Sequence, residues 1–132
     1  MGSQAFTGNY YLRDVCVDTQ VVVKEGSSVL VLLRGQGTRR YYALGLCGED
    51  RFAILRYENG ERTELASGKF IWECGRPYQL SARAKGTELT LSVDGRTFLT
   101  AEDDHLTYGM AGLGTDGPGT VICGGFHVSG SC

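Results

Sequence analysis

Tyrosine and arginine side chains cluster in the first half of the sequence in a pattern that suits ligand binding. Tyr41 and Tyr57 are accompanied by Arg34, Arg39 and Arg62. Flat aromatic rings pack against the C–H faces of sugars, and planar polar side chains hold adjacent hydroxyls through paired hydrogen bonds. The sequence therefore predicts a site in which the two tyrosines stack on a ligand and the arginines hydrogen-bond to it. The alternative is a cross-strand tyrosine pair with ordinary outward-facing arginines.

The elements that carry these residues are predicted to be strands. Glycine accounts for 20 of 132 residues, about twice the usual frequency, and proline for only 2. Turn signals recur at short intervals between segments that alternate or are wholly apolar. We expect an all-β, two-sheet antiparallel β-sandwich of the jelly-roll type. About ten strands are predicted, at residues 10–20, 28–34, 39–47, 51–58, 62–66, 78–84, 88–93, 96–100, 109–115 and 121–128.

Turn chemistry fixes which residues should lie opposite each other. A two-residue Asn59–Gly60 turn pairs Tyr57 with Arg62 and Ile54 with Leu65. A three-residue loop at 48–50 pairs further residues of the preceding strand, including Tyr41 with Tyr57, whereas a two-residue loop would exchange the faces of one strand. One face then carries the core residues Tyr42, Leu44, Leu46, Phe52, Ile54 and Leu65. The other carries Tyr41, Ala43, Gly45, Ala53, Leu55, Tyr57, Arg62 and Glu64, and its small residues predict a hollow.

The second hairpin is predicted in the same way. The Asp94–Gly95 turn pairs Val93 with Arg96 and Leu91 with Phe98. Leucines, valine and phenylalanine then share one face, and Thr90 with its polar neighbours shares the other. The second sheet should thus have one buried face and one solvated face.

The net charge, the apolar runs and the cysteines of the sequence limit which partners the protein can bind and where it is located. The net charge of −2 argues against a nucleic-acid or anionic-membrane binder, and no apolar run is long enough for a spanning helix. Five cysteines show no zinc-type spacing. Cys16 and Cys123 are interpreted as small buried residues, so reduced thiols and a cytoplasmic location are favoured over a disulfide. The length suits one domain, residues 1–132, which could be excised from a longer protein.

Several segments in a fixed order resemble a known superfamily. They are YYALGL, the Arg-Tyr-x-Asn-Gly strand end, GRPYQLSARAKGTELTLSVDG, the acidic EDD, YGMAGLGT and the final FHV. Together they resemble the laminin-G-like branch of the concanavalin A-like lectin/glucanase superfamily. The likeness is to non-catalytic jelly rolls found beside ADP-ribosylglycohydrolase-like or glycoside-hydrolase-like enzymes. The loose match of residues 34–41 to an Arg-x-Gln-Gly-x-x-Arg-x-Tyr pattern adds to it.

The resemblance also suggests which catalytic residues and metal ligands the sequence could contain. Glucanases of this fold carry a Glu-x-Asp-x-x-Glu strand motif, which this sequence lacks, so no catalytic residue is predicted. Laminin-G-like domains often hold calcium on a rim loop. Asp103, Asp104 and Asp116 are the oxygen donors that could form such a structural calcium site, and no other cofactor is expected.

We therefore predict a non-catalytic, lectin-like carbohydrate-binding module, accessory to an enzyme. Its partners would be a glycan and a covalently linked catalytic domain, and the module itself would be a monomer. Trp72 is a core plug at the edge of the sandwich or a further stacking surface. Two alternatives remain open besides an enzyme of another type. One is a structural module that packs on an ADP-ribosylglycohydrolase-like domain, and the other is recognition of ADP-ribose through the arginines.

Overall fold

The computed structural model describes residues 4–22, 28–36, 40–46, 51–69, 76–116 and 121–129. Side chains are described for residues 13–22, 29–36, 40–46, 51–69, 76–109 and 111–112. The described residues include no helix that is long and apolar enough to span a membrane.

Eleven strands form the described part of the chain. They are β1 (Gln4–Leu12), β2 (Val15–Val22), β3 (Ser28–Gly35), β4 (Arg40–Leu46), β5 (Arg51–Glu58), β6 (Glu61–Lys69), β7 (Pro77–Lys85), β8 (Glu88–Val93), β9 (Arg96–Glu102), β10 (Gly109–Asp116) and β11 (Val121–Ser129). Six strands form one sheet in the order β1-β10-β3-β4-β5-β6, and five form the other in the order β11-β2-β7-β8-β9. Neighbouring strands are antiparallel throughout. The predicted two-sheet antiparallel sandwich is confirmed.

One predicted strand is two strands in the structure. The alternating segment 10–20 is broken at Arg13 and Asp14, so that its first residues end β1 in the six-stranded sheet and its remainder forms β2 in the five-stranded sheet. Two consecutive polar residues, Arg13 and Asp14, interrupt the alternation at this point, and they were the signal in the sequence that the chain changes sheets there.

The main core lies between the two sheets and follows the alternation of the strands. In β2, every second residue from Val15 to Val21 is buried. Leu44 and Ile54 from the six-stranded sheet, and Leu80 and Leu91 from the other sheet, belong to the same buried cluster. Burying one such side chain contributes about 1.5–3 kcal/mol relative to leaving it exposed. The core face predicted for β4 and β5 is thus confirmed.

The predicted hairpin registers hold close to the turns and then shift. Tyr57 pairs with Arg62 as expected, but Ile54 pairs with Ala66 because a bulge puts one extra residue into β6. In the second hairpin, Leu91 pairs with Leu99 instead of Phe98, again with a shift of one residue. A β-bulge adds one unpaired residue to one strand, which turn-counting alone does not reveal.

Two smaller expectations about the five-stranded sheet are wrong. Thr90 lies in the row predicted to be solvated but is 5% exposed. Cys16 lies on the outer side of β2 and is disulfide-bonded, which contradicts its interpretation as a buried, reduced thiol. The side chains of the other four cysteines are outside the described part of the chain.

Candidate functional site

The outer face of the six-stranded sheet carries the predicted ligand-binding residues in rows that cross the strands. Tyr41 in β4 pairs with Tyr57 in β5, which pairs with Arg62 in β6. In the next row, Ala43 pairs with Leu55, and Leu55 with Glu64. Since paired residues point to the same side of a sheet, each row presents its side chains together. The predicted pairing of the two tyrosines, which depends on the three-residue loop at 48–50, is confirmed.

The middle of this face is not the hollow that its small residues predicted. Ala43 and Ala53 are 0% exposed, and with Leu32, Tyr41 and Leu55 they form a buried apolar cluster separate from the main core. This expectation is wrong because larger apolar neighbours on the same face, among them Leu32 and Leu55, enclose the alanines. A ligand therefore has access to the edge of this cluster and not to its floor.

Gly45 is a glycine for a reason other than leaving room for a ligand. Its φ is +153°, and a Cβ there would lie 2.3 Å from the carbonyl oxygen of Val29 in the neighbouring strand. Residues other than glycine rarely adopt such a backbone conformation, and the carbonyl belongs to the backbone of β3, which cannot easily move away. Glycine is needed here for the close approach of β3 and β4.

The two tyrosines form a stacked pair in which Tyr41 is buried and Tyr57 is partly exposed. Their ring centroids are 4.9 Å apart and the ring planes are inclined by 25°. Tyr41 is 3% exposed, so its ring cannot be a ligand-stacking surface, which corrects the prediction for this residue. Tyr57 is half-buried at the border of the apolar cluster. Tyr41 therefore acts as the backing that holds the Tyr57 ring in place.

Polar groups of β5 and β6 lie beside this ring. Arg62 is exposed, and within the part of the chain that the structure describes it makes no hydrogen bond or ion pair. Glu64 forms an ion pair with Arg51, and the two side chains are 43% and 42% exposed. Arg62, in the row of Tyr57, thus offers donors at the solvent edge of the face, and Glu64, in the next row, offers an acceptor. The sequence had placed Glu64 on this face, but Arg51 was missed, although it lies on the same side of β5 as Ala53 and Tyr57.

Arg34 does not belong to this site, which corrects a second predicted ligand-binding residue. It is 1% exposed. Its Nε donates to the Arg13 carbonyl oxygen at 2.9 Å and its Nη1 to the Leu106 carbonyl oxygen at 3.0 Å, while Nη2 lies 3.8 Å from Asp14. Burial lowers the pKa of the guanidinium, and the neighbouring Tyr42 and Asp14 oppose that shift. Arg34 thus joins the β1–β2 turn to the segment between β9 and β10.

Two other predicted ligand-binding residues, Arg39 and Trp72, lie outside the described residues. The neighbouring Arg40 is described and faces the other way. It pairs with Glu58, and its Nη2 lies 3.3 Å from the Glu58 carboxylate. Arg40 therefore belongs to a polar cluster at one end of the sandwich.

Asp103 is the centre of that end cluster. Its Oδ1 accepts hydrogen bonds from the Tyr42 hydroxyl at 2.6 Å and from the His105 backbone N–H at 2.9 Å, and its Oδ2 is paired with Arg56. Burial by itself would raise the pKa of Asp103, but the hydrogen bonds from Tyr42 and His105 and the charge of Arg56 together lower it. Burial and the bond to Asp103 raise the pKa of the Tyr42 hydroxyl. The cluster fastens the segment after β9 to the six-stranded sheet.

These contacts do not suit the predicted calcium site. Ligand atoms of Asp103, Asp104 and His105 lie within 4.8 Å of one another. However, Asp103 already accepts three hydrogen bonds, one from a cationic guanidinium, whereas Ca²⁺ needs six to eight oxygen ligands. The side chain of Asp116 lies outside the described part. Asp103 fits a structural ion pair better than a metal ligand.

Comparison with solved structures finds the same fold in a carbohydrate binding module and in galectins. The carbohydrate binding module CBM66 from Bacillus subtilis matches with a TM-score of 0.74 and 18% identity over 92% of this chain and 88% of that chain. Caenorhabditis elegans galectin LEC-6 gives a TM-score of 0.73 at 12% identity, covering 97% and 90%. Xenopus laevis galectin-Ib gives 0.73 at 14% identity, covering 98% and 100%. No protein-family model and no curated protein sequence matches the chain. At these identities, the likeness establishes that the chain has a jelly-roll sandwich fold.

Proposed function

We propose that this chain is a non-catalytic, lectin-like carbohydrate-binding module whose ligand lies on the outer face of the six-stranded sheet. The observation that carries the proposal is the half-buried Tyr57 ring, which is stacked on the buried Tyr41 and flanked across the sheet by the exposed Arg62. A ring held in place before binding loses little freedom when a ligand packs against it. One structure with this fold is, by its name, a carbohydrate binding module, which supports the proposal.

The polar groups around Tyr57 suit hydroxyl-rich ligands. Adjacent strands lie about 5 Å apart and alternate residues of one strand about 7 Å apart, so Arg62 and Glu64 start from backbone positions close to that of Tyr57 on the same face. Arginine offers donors only, while a carboxylate accepts, and together they can satisfy hydroxyls, which do both.

Binding without catalysis is part of the same proposal. Two-carboxylate glycoside hydrolysis needs a pair of acids flanking the scissile bond. Among the described outer-face side chains of β4, β5 and β6, the one carboxylate is Glu64, and Arg51 is paired with it.

The alternative of a packing module would call for a large exposed apolar patch. Of the described side chains, Tyr108 is the large hydrophobic one with substantial exposure, at 39%. The accessory role beside an enzyme is tested by the sequence of the full-length protein.

The test is retention of the chain on a glycan array, followed by titration of the retained glycan. Tyr57→Ala should weaken binding by about thirtyfold or more, because removing a central aromatic contact typically costs about 2 kcal/mol or more. Tyr57→Phe, which keeps the ring, should bind like the wild type. Tyr108→Ala removes an exposed tyrosine elsewhere and is the matched control. No retained glycan, or full retention by a folded Tyr57→Ala variant, would overturn the proposal.

A further inference from the structure

The outer face of β5 and β6 carries an excess of positive charge, although the chain as a whole has a net charge of −2. Its charged side chains are Arg51, Arg62, Glu64 and Lys69. Arg62 lies on this face because it pairs with Tyr57, and Lys69 because it pairs with Arg51. Three are cations and one is an anion. The single carboxylate is paired with Arg51. The charges of Arg62 and Lys69 are thus left uncompensated within the described part of the chain.

Arg62 is the uncompensated cation that lies next to the proposed ligand. Its backbone pairs directly with that of Tyr57, so the two side chains are neighbours on one face. The arginine is exposed and is absent from the ion pairs and hydrogen bonds of the described residues, and no arginine–ring contact ties it to Tyr57. A guanidinium fork matches a carboxylate through two parallel hydrogen bonds, a geometry that a lone hydroxyl cannot use in full.

From this arrangement we infer that the preferred ligand is an acidic saccharide, with a sugar ring packed on Tyr57 and its carboxylate held by Arg62. The inference rests on the proposed function and narrows its ligand class. The local positive charge attracts such a ligand and raises its rate of association, and it discriminates against sugars that lack the acid. A uronic acid is the simplest sugar with this chemistry. A sulfated sugar offers a related anion and is separated from it in the experiment.

Calorimetric titration with a short oligogalacturonate and its fully methyl-esterified form tests the charge requirement directly, because the two probes share ring and linkage and differ in charge. A neutral galacto-oligosaccharide and a sulfated one complete the set. We expect the acid to bind about tenfold more tightly than its ester, the size of one hydrogen bond to a charged group. We also expect added salt to weaken binding of the acid and to leave binding of the ester unchanged.

Arg62→Gln should abolish this preference, because the acid should lose about tenfold more affinity than the ester does, so that the two probes then bind alike. The matched control is Arg96→Gln, because Arg96 is likewise exposed and follows a hairpin turn but lies at the edge of the five-stranded sheet. Equal binding of acid and ester, or an acid preference that survives Arg62→Gln, overturns the inference while the proposed function stands. Tighter binding of the sulfated probe overturns the carboxylate assignment. Failure of every saccharide, on the array as well, overturns both proposals.

Discussion

The end cluster around Asp103 allows a sharp test of the structure through Asp103→Asn. The side chain is 6% exposed, and the substitution removes its charge with almost no change in shape. Hydrogen bonds to a charged group contribute about 1.5–3 kcal/mol each and neutral ones about 0.5–1.5 kcal/mol. Two bonds are weakened, those from Tyr42 and His105, and Arg56, which is only 15% exposed, loses the nearer of its two carboxylate partners and keeps Glu58 at 4.0 Å. We therefore expect a loss of about 3 kcal/mol in the free energy of unfolding.

Urea denaturation followed by fluorescence measures this loss as a shift of the midpoint at unchanged slope. For a chain of this length, the melting temperature should fall by about 10 °C. The neighbouring Asp104 is exposed, and Asp104→Asn is the matched control, with an expected change within about 0.5 kcal/mol. Equal effects of the two substitutions, or no measurable effect of Asp103→Asn, would show that the contacts of Asp103 do not stabilise the fold.

The lowered pKa of Asp103 also predicts how the stability difference between the wild type and Asp103→Asn depends on pH. A carboxyl whose pKa is lower in the folded than in the unfolded state stabilises the fold above its unfolded pKa, near pH 4. That contribution is lost as the pH falls through the folded pKa. The stability difference between wild type and Asp103→Asn should therefore be greatest at neutral pH and shrink below about pH 4. A difference that grows in acid would contradict the assigned contacts.

Two further substitutions test corrections that the structure makes to the sequence-based site. Arg34→Met should lower the free energy of unfolding by about 2–4 kcal/mol, because it leaves buried carbonyl oxygens such as that of Leu106 unpaired, and glycan retention per folded molecule should be unchanged. A ligand-contacting Arg34 would give the opposite pattern, with stability kept and retention lost. Gly45→Ala should cost at least about 2 kcal/mol in chemical denaturation, since its Cβ would collide with the Val29 carbonyl oxygen. A fully stable Gly45→Ala protein would show that β3 and β4 can separate without penalty.

The pairing of Tyr41 with Tyr57 illustrates how far local pattern reaches. Strand alternation has a period of two, the loop length at 48–50 sets the register of Tyr41 against Tyr57, and the Asn59–Gly60 turn sets that of Tyr57 against Arg62. The rows near these turns therefore follow from residues within about twenty positions of one another. Beyond a few pairs the bulge in β6 shifts the register, and Leu65 and Ala66 both pack toward the core. Past the bulge, β6 packs against the second sheet, where a Cβ at Gly68 would lie 3.2 Å from the Phe98 ring and 3.4 Å from the Leu99 side chain.

The contacts of Tyr42 show where local pattern stops. Its place on the core face was predictable, and a buried tyrosine hydroxyl needs a hydrogen-bond partner. The partner, Asp103, is 61 positions away in the chain, and no spacing rule connects the two. The other contacts of Asp103 were hidden for the same reason, since its acidity was visible in the sequence and its neighbours Tyr42 and Arg56 were not.

The sequence by itself determined the all-β class, nearly every strand and the face on which each side chain of β4 and β5 lies, because these depend on turn residues and on alternation between near neighbours. Only the tertiary structure decided that Arg34 is buried, that Tyr41 supports Tyr57 from behind and that the alanine floor is closed. Those outcomes depend on which distant segments cover a face or close an end of the sandwich, and chain folding sets them through packing between residues that are remote in sequence.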